Sequence, residues 1–523
     1  MKSEIKFSVD AVTAPKDIDS NIIKYAAKHA GIPQSDIADI RIISKSIDAR
    51  KDTPLLVYKT VADIPDKYAQ RFAPYTPRPS VLELPQNEWK HSDRPIVVGT
   101  GPAGLFAAFY LAASGAKPIV IDRGLPVEER VKKHHEFLET RKLDTESNLL
   151  IGEGGAGAYS DGKLYTGTRS PFARLVIEEF IRCGAPAEIG YLARPHIGSD
   201  CLKTVIANLR KRIISLGAEF RFSTQVTDLI VKDGVCRGVK LANGEKLATD
   251  AGVIVACGLG GRELVRNIIS SGAAYSLKNY QVGCRIEHPQ SFIDLKQYHT
   301  KSRPESLGAA EYHMVSRPSK ALPVSSFCMC PGGRIVNATA WENRCITNGM
   351  SEFARDGEFA NSCLIATVKF PADTTLDFAY GAIERVEKEL FIRGAKDYAF
   401  PAQRAIDFLN DDASYNCRIK SSCETGIVPG RVNDIFNSQV RNAICAALNY
   451  FDRIMRGFIS YGNFIGIESC VSSPVRIERN ENGESSIKKF FPSGEGMGLA
   501  GGIISAACDG LKSAENLFRE INK

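Results

Sequence analysis

Three stretches of the sequence predict an α/β protein with α+β parts. Residues 94–124 (RPIVVGTGPAGLFAAFYLAASGAKPIVIDRG) read as strand, tight turn, helix and second strand. Residues 199–258 run from a helix through several short strands into a buried strand, GVIVACG. The last segment, FFPSGEGMGLAGGIISAACDGLKSAENLFREI, returns to strand, glycine turn and helix. Alternating strands and helices build parallel sheets, so these pieces predict one discontinuous, Rossmann-like domain. At 523 residues the chain exceeds one ordinary core, and roughly three domains are expected.

The elements follow in order. EIKFSV (4–9) alternates like a strand, and SNIIKYAAKHA (20–30) has helical spacing. IRIISKSID (40–48) and LLVYKTV (55–61) read as two further strands. That pattern predicts a small, ferredoxin-like N-terminal module over 1–70. Six prolines from Pro65 to Pro95 inclusive, with little apolar periodicity, predict an extended linker over 71–93. The first part of the Rossmann-like domain then covers 94–275. A long mixed region without repeats, 276–465, reads as an inserted mixed α/β substrate or cap domain. Residues 466–523 are the C-terminal return.

Composition sets the class. With 44% hydrophobic and 24% charged residues the chain is that of a soluble globular protein. A net charge of +7 without KRKR-like runs gives no reason to expect nucleic acid. Fourteen scattered cysteines with no C-x-x-C pair suit reduced thiols in a cytoplasmic protein. The start, MKSEIKFSVD, does not read as a secretory signal. Residues 96–115 are apolar enough to imitate a membrane span. Their glycines, however, stand in the spacing of a phosphate-binding loop, and no membrane contact is expected. Eight histidines show no H-E-x-x-H spacing, so no metal site is expected.

Gly99-Thr-Gly101-Pro102-Ala103-Gly104 follows the strand PIVV and opens a helix. Gly99 permits the sharp turn, Gly101 lets backbone approach a pyrophosphate, and Gly104 lets the helix sit tightly on the sheet. The helix N-terminus offers free N–H groups and partial positive charge to phosphates. Asp122 ends the next strand, where a carboxylate can take ribose hydroxyls and repel a 2′-phosphate. Nicotinamide dehydrogenases follow such a unit with more βαβ repeats. Here a loop-rich segment and a run of short strands intervene, and a C-terminal glycine turn comes back. That order looks like the glutathione-reductase type of Rossmann-like FAD-binding domain, in its single-nucleotide-domain form.

Four segments resemble a poorly characterised group of FAD-dependent dehydrogenases with a small N-terminal α/β domain. They are KSIDARK (45–51), GEGGAGAYSDGKLYT (152–166), FCMCPGGRIVNA (327–338) and SSPVRI…GEGMGLAGGIISAACDG (472–510). The resemblance implies FAD and oxidoreductase chemistry with no secure substrate. It assigns the pyrophosphate to Gly99, Gly101 and Gly104 with Pro102 and Ala103, and the adenosine ribose to Asp122 with Arg123 beside it. Val226 matches the place where backbone groups pair with adenine. Cys257-Gly258 stands where such folds often show Thr-Gly, and Gly494-Glu495 resembles an acidic pair near the ribityl chain. The helix starting near Gly501-Gly502 would aim its positive end at the flavin N1 and C2 carbonyl. In IGEGGAGAYSDGKLYT, Gly154, Gly155 and Gly157 would let backbone lie along the flavin. Ser160, Asp161 and Lys163 would bond its edge or a substrate above it, with a solvated loop lysine as the alternative for Lys163.

On the substrate side, Cys328 and Cys330 share a strand face about 6.6 Å apart, at the edge of disulfide reach. They are a redox pair or two buried thiols. Arg285 and Glu287 also share a face, either binding a polar substrate or pairing at a domain junction. Arg476, in SSPVRI, is a further pocket candidate. The expected function is an FAD-dependent oxidoreductase passing a hydride through flavin N5 to or from a small-molecule substrate. NAD(P)H would bind only transiently, because GLGGRE (258–263) lacks a second G-x-G-x-x-G. Two alternatives stand beside it. One is an NAD-dependent dehydrogenase without flavin. The other is a flavin-bearing sensor whose N-terminal module recruits a protein partner.

Overall fold

A computed structural model describes residues 2–77, 82–413 and 418–523. Part of the expected linker, 78–81, lies outside the described residues. The N-terminal strands Lys2–Asp10, Asp39–Asp48, Leu55–Asp63 and Ala73–Pro74 form an antiparallel sheet in which Lys2–Asp10 lies between the last two. The spatial order, second–third–first–fourth, is that of a ferredoxin-like module, with its second helix cut to one turn at Asp66–Ala69. Ala73–Pro74 thus belongs to the module's sheet, although proline-rich sequence marks it as linker.

The Rossmann-like sheet has five parallel strands in the order 490–492, 253–255, 96–98, 119–121 and 219–221. The C-terminal return therefore closes the sheet beside Val253–Val255. Every residue of helix Pro102–Ala113 after its first is buried. This explains why 96–115 reads as a membrane span: a helix covered on all sides can be apolar all round. Its close neighbour is the C-terminal helix Ile503–Ile521, where a Cβ on Gly510 would run into the Ala103 carbonyl. No helix among the described residues is long and apolar enough to cross a membrane. A three-stranded antiparallel sheet (226–232, 235–241, 246–248) follows the turns predicted from Asp-Gly and Asn-Gly.

The insertion is built on a seven-stranded sheet whose centre is Tyr280–Pro289. That strand is buried along seven consecutive positions, Val282–His288, because helices and loops cover both faces. Asn463–Glu468 pairs with it, so the insertion's sheet runs past the expected boundary at 465. The return begins with Val475–Ile477, which pairs with Tyr275–Leu277. One continuous apolar core joins the insertion to the N-terminal module: Phe7, Ile18 and Ile22 belong to the same buried cluster as Phe292, Phe400 and Phe464. The module is docked, not tethered.

Candidate active site

A cavity of about 850 Å³ opens between the Rossmann-like domain and the insertion. Its floor is the glycine turn. Gly99 (φ +97°) turns where any Cβ would strike the Ala256 carbonyl, and a Cβ on Gly104 would strike the Gly99 carbonyl. Gly101 is different. Its φ of −69° suits any residue, and a Cβ there would meet no protein atom within 4 Å. Nothing in the protein calls for glycine at this position; the space it leaves belongs to the cavity. Helix Pro102–Ala113 begins there with no side-chain cap, and the C-terminal helix begins uncapped at Gly502 on the same cavity. Two sets of free N–H groups with helix-dipole charge therefore face one space, which fits an anionic, phosphate-bearing cofactor.

Most of the expected cofactor residues line this cavity: Gly99 to Ala103, Asp122, Arg123, Gly155, Gly157, Ser160, Asp161, Val226, Cys257, Gly258, Gly494, Glu495, Gly501 and Gly502. Gly104 and Gly154 stand behind the wall and set the backbone that makes it. The Gly154 N–H donates to the Thr100 carbonyl at 2.8 Å, and Gly155 lies against Gly101. The two glycine runs are thus one continuous surface. At its far end Thr166 Oγ1 lies 2.8 Å from Ser505 Oγ on the C-terminal helix. Gly494 is held by its N–H donating to Asp509 at 2.8 Å, and Glu495 accepts from the Ser473 N–H at 3.1 Å.

Several side chains have partners that local sequence does not announce. Asp122 accepts from the Thr100 N–H (2.8 Å), the Thr100 hydroxyl (2.6 Å) and the Gly124 N–H (2.8 Å). Three of about four acceptor positions on the carboxylate are filled, so Asp122 braces the turn and keeps one position for a ligand. Arg123 is paired with Glu146. Asp161, expected at the flavin edge, is buried between Lys163 and Arg355, the latter donating from Nε at 2.8 Å. Burial opposes its charge, but Lys163 and Arg355 outweigh that and hold the carboxyl well below the usual range. For Lys163 burial also opposes the charge, and Asp161 overrides it, so the ammonium is held above its ordinary value. Glu311 completes the group, 3.5 Å from Lys163 and 2.8 Å from Arg194. Arg355 carries no signal in its own stretch of sequence.

The remaining candidates separate. Cys328 lines the cavity, while Cys330 lies directly behind it, fully buried. Arg285 is also fully buried; it pairs with Glu468, a cavity residue, and donates to Asn361 at 2.7 Å. Arg285 thus forms an ion pair with Glu468 and not with Glu287. Glu287 is off the cavity and bonded to the Ser422 hydroxyl and N–H. Sharing a strand face did not bring it to the site, because the chain around Ser422 closes over that end of the strand. Arg476 is off the cavity wall as well, beside the Gly498 carbonyl at 3.4 Å.

Comparison with known proteins bears on the same residues. Residues 279–470 match the model described as FAD-dependent protein, C-terminal domain-like; 167–281 match an FAD binding domain; and 1–62 match a domain of unknown function. An uncharacterized protein of Clostridium beijerinckii is 35% identical over 529 residues, covering 98% of this chain and 99% of that one. The chain belongs to that protein's family. It carries an FAD-binding domain joined to the C-terminal domain of FAD-dependent proteins. Among solved structures, a geranylgeranyl bacteriochlorophyll reductase-like protein of Thermoplasma acidophilum aligns at 14% identity. That alignment covers 82% of this chain and 78% of that one, with a TM-score of 0.37. A flavin-dependent brominase aligns at 11% identity, covering 82% and 79%, with a TM-score of 0.40.

Proposed function

We propose that this protein is an oxidoreductase of the glutathione-reductase fold type that holds FAD across the 850 Å³ cavity. Its small-molecule substrate lies under the inserted domain. The single observation that carries the reading is Gly101, a glycine required by no neighbouring protein atom, set between two uncapped helix N-termini. Bound there, FAD supplies hydride transfer through flavin N5.

In this reading the N-terminus of helix Pro102–Ala113 takes the pyrophosphate, and the remaining acceptor of Asp122 takes a ribose hydroxyl. The start of helix Ile503–Ile521 sets partial positive charge against the flavin ring and favours its anionic reduced form. Lys163 is kept protonated by Asp161, so it acts as a fixed cation and not as a proton acceptor. Arg355 and Glu311 fix the position of that cation. The insertion excludes water from the side facing the Rossmann-like sheet.

Anaerobic mixing of the holoprotein with NADH, NADPH and candidate metabolites, followed by flavin absorbance, tests the reading. Bleaching by a donor and recovery with an acceptor are expected. A bound flavin that no donor reduces would favour the sensor alternative.

A further inference from the structure

The helix Ser438–Ile454 buries Val440, Ala443, Ile444, Ala447, Leu448 and Phe451, the spacing of a stripe that faces a core. Tyr450 lies off that stripe, and Ile454 ends the helix; they are 39% and 57% exposed. Arg453 stands between them, its guanidinium 5.6 Å from the centre of the Tyr450 ring. The chain then turns at Gly457 (φ +103°) into the short helix Phe458–Tyr461, held to the first by Phe451 against Phe458. Tyr461 is 56% exposed and stacks on Phe292 of the helix Gln290–Tyr298, the rings 4.8 Å apart. One turn beyond Phe292, Leu295 is 44% exposed. Leu295, Tyr461, Ile454 and Tyr450 thus follow one another across three helix ends. They are four of the thirteen exposed large apolar side chains among the described residues, and a group of this kind, unlike a single side chain, marks a contact surface.

The same face is basic. Lys296 reaches over the Phe292 ring at 5.8 Å, Arg453 and Arg456 flank Ile454, and Lys301 follows the Gln290–Tyr298 helix; the last three are exposed. The carboxylates of these segments turn inward. Asp452 accepts from the Gly457 N–H (3.0 Å) and the Ile459 N–H (3.1 Å). Asp294 is buried, accepts from the Gln290 amide and the Ala310 N–H, both at 2.8 Å, and meets Arg303 at 3.8 Å. The charge presented outward is therefore positive.

That charge decides the partner. A second copy meeting this face about a two-fold axis would set its cations against their own images. Nucleic acid would match the cations but leave Leu295 and Ile454 against phosphate. An anionic bilayer surface matches both sets. Aliphatic side chains enter the acyl boundary, tyrosines rest at headgroup depth, and lysines and arginines meet lipid phosphates.

We propose that this face docks the protein on the surface of an anionic membrane. The contact is peripheral, as no helix among the described residues is long and apolar enough to cross. The sequence predicts no membrane contact because the face is assembled from two segments far apart along the chain. The proposal is independent of the cofactor.

Sedimentation with vesicles tests it. Full-length protein is spun with vesicles of phosphatidylcholine alone, and with vesicles of phosphatidylcholine and phosphatidylglycerol in equal parts. Binding to the mixed vesicles is expected, weakening as salt rises, with little on phosphatidylcholine alone. R453Q/R456Q should lower the partition coefficient about tenfold or more, and R453K/R456K should restore it. I454S/Y461S should lower it as well. Protein that stays in the supernatant with both vesicle types overturns the proposal, as does binding that survives R453Q/R456Q or I454S/Y461S unchanged. A concentration-dependent dimer that I454S/Y461S makes monomeric also overturns it, since a second copy then covers the face.

Discussion

At the scale of single residues, the cavity makes a sharp distinction between two glycines three residues apart in the same turn, Gly101 and Gly104. Gly101→Val places its side chain in space no protein atom occupies. The apo-protein should keep its stability within about 0.5 kcal/mol, while FAD affinity falls at least tenfold, about 1.4 kcal/mol, by flavin titration. Gly104→Ala drives a methyl into the Gly99 carbonyl and should cost about 1–3 kcal/mol of stability with or without flavin. A second residue-scale prediction concerns Glu153, inside the second glycine run. Burial pushes its carboxyl up to about 7, against the pull of Arg210, and one carboxylate oxygen lacks a hydrogen-bond partner. The folded state then holds the proton more tightly than the unfolded state. Stability from this group is highest below the unfolded carboxylate range, falls as pH rises towards 7, and is level above it. Glu153→Gln should therefore gain on the parent by about 3 kcal/mol between pH 4.5 and 8, read by urea unfolding at several pH values. A constant difference across that range would contradict it. What the sequence reveals at this scale is local. The turn and Asp122 lie close enough along the chain to be read together, whereas Arg355 reaches Asp161 from 194 residues away. No spacing rule announces such a partner, nor that Thr100 and Gly124 already occupy most of Asp122.

At the scale of elements, the N-terminal module is legible as four elements but not as a docked one. Alternation along EIKFSV and LLVYKTV identifies strands with a buried face, yet a pattern of apolar positions does not say what covers the other surfaces. The answer lies in a second stretch far along the chain. Lys45 forms a backbone bridge with the 191–193 segment, its N–H donating to the Tyr191 carbonyl and its carbonyl accepting from Ala193, both at 2.9 Å. Asp19 accepts from Lys45 Nζ (2.7 Å), the Tyr58 hydroxyl (2.6 Å) and the Tyr191 hydroxyl (3.4 Å). The same segment continues into Arg194 and Pro195, whose carbonyl accepts from the Leu164 N–H at 2.9 Å. The module is thereby braced against the segment that carries Lys163, which itself bridges to His196. Asp19→Ala leaves those donors without their shared acceptor and should cost about 1–3 kcal/mol. Because module and insertion share one core, their hydrogen-exchange protection should fall together in this variant. Loss of protection confined to residues 2–64 would show that the module folds on its own.

At the scale of the whole molecule, the cavity lies where two cores meet, the usual place for a ligand site. One core is the parallel sheet with its helices; the other unites the insertion and the N-terminal module. The parallel sheet is legible in the sequence because each of its strands abuts a glycine turn or a helix start. Of the insertion only single strands are legible, those carrying Arg285 with Glu287 and Cys328 with Cys330; the sheet they join is not, since its central strand Tyr280–Pro289 is buried on both faces and its partners lie far along the chain. Its last strand, Asn463–Glu468, begins 174 positions after Pro289 ends the central strand. FAD is proposed to occupy the space between these cores. The direct measurement is flavin content: gentle purification, reconstitution with FAD, removal of free ligand, and release of bound flavin by denaturation. Stoichiometric FAD in the parent protein and a large loss in G101V are the expected result. Parent protein that retains no flavin after reconstitution would contradict the account.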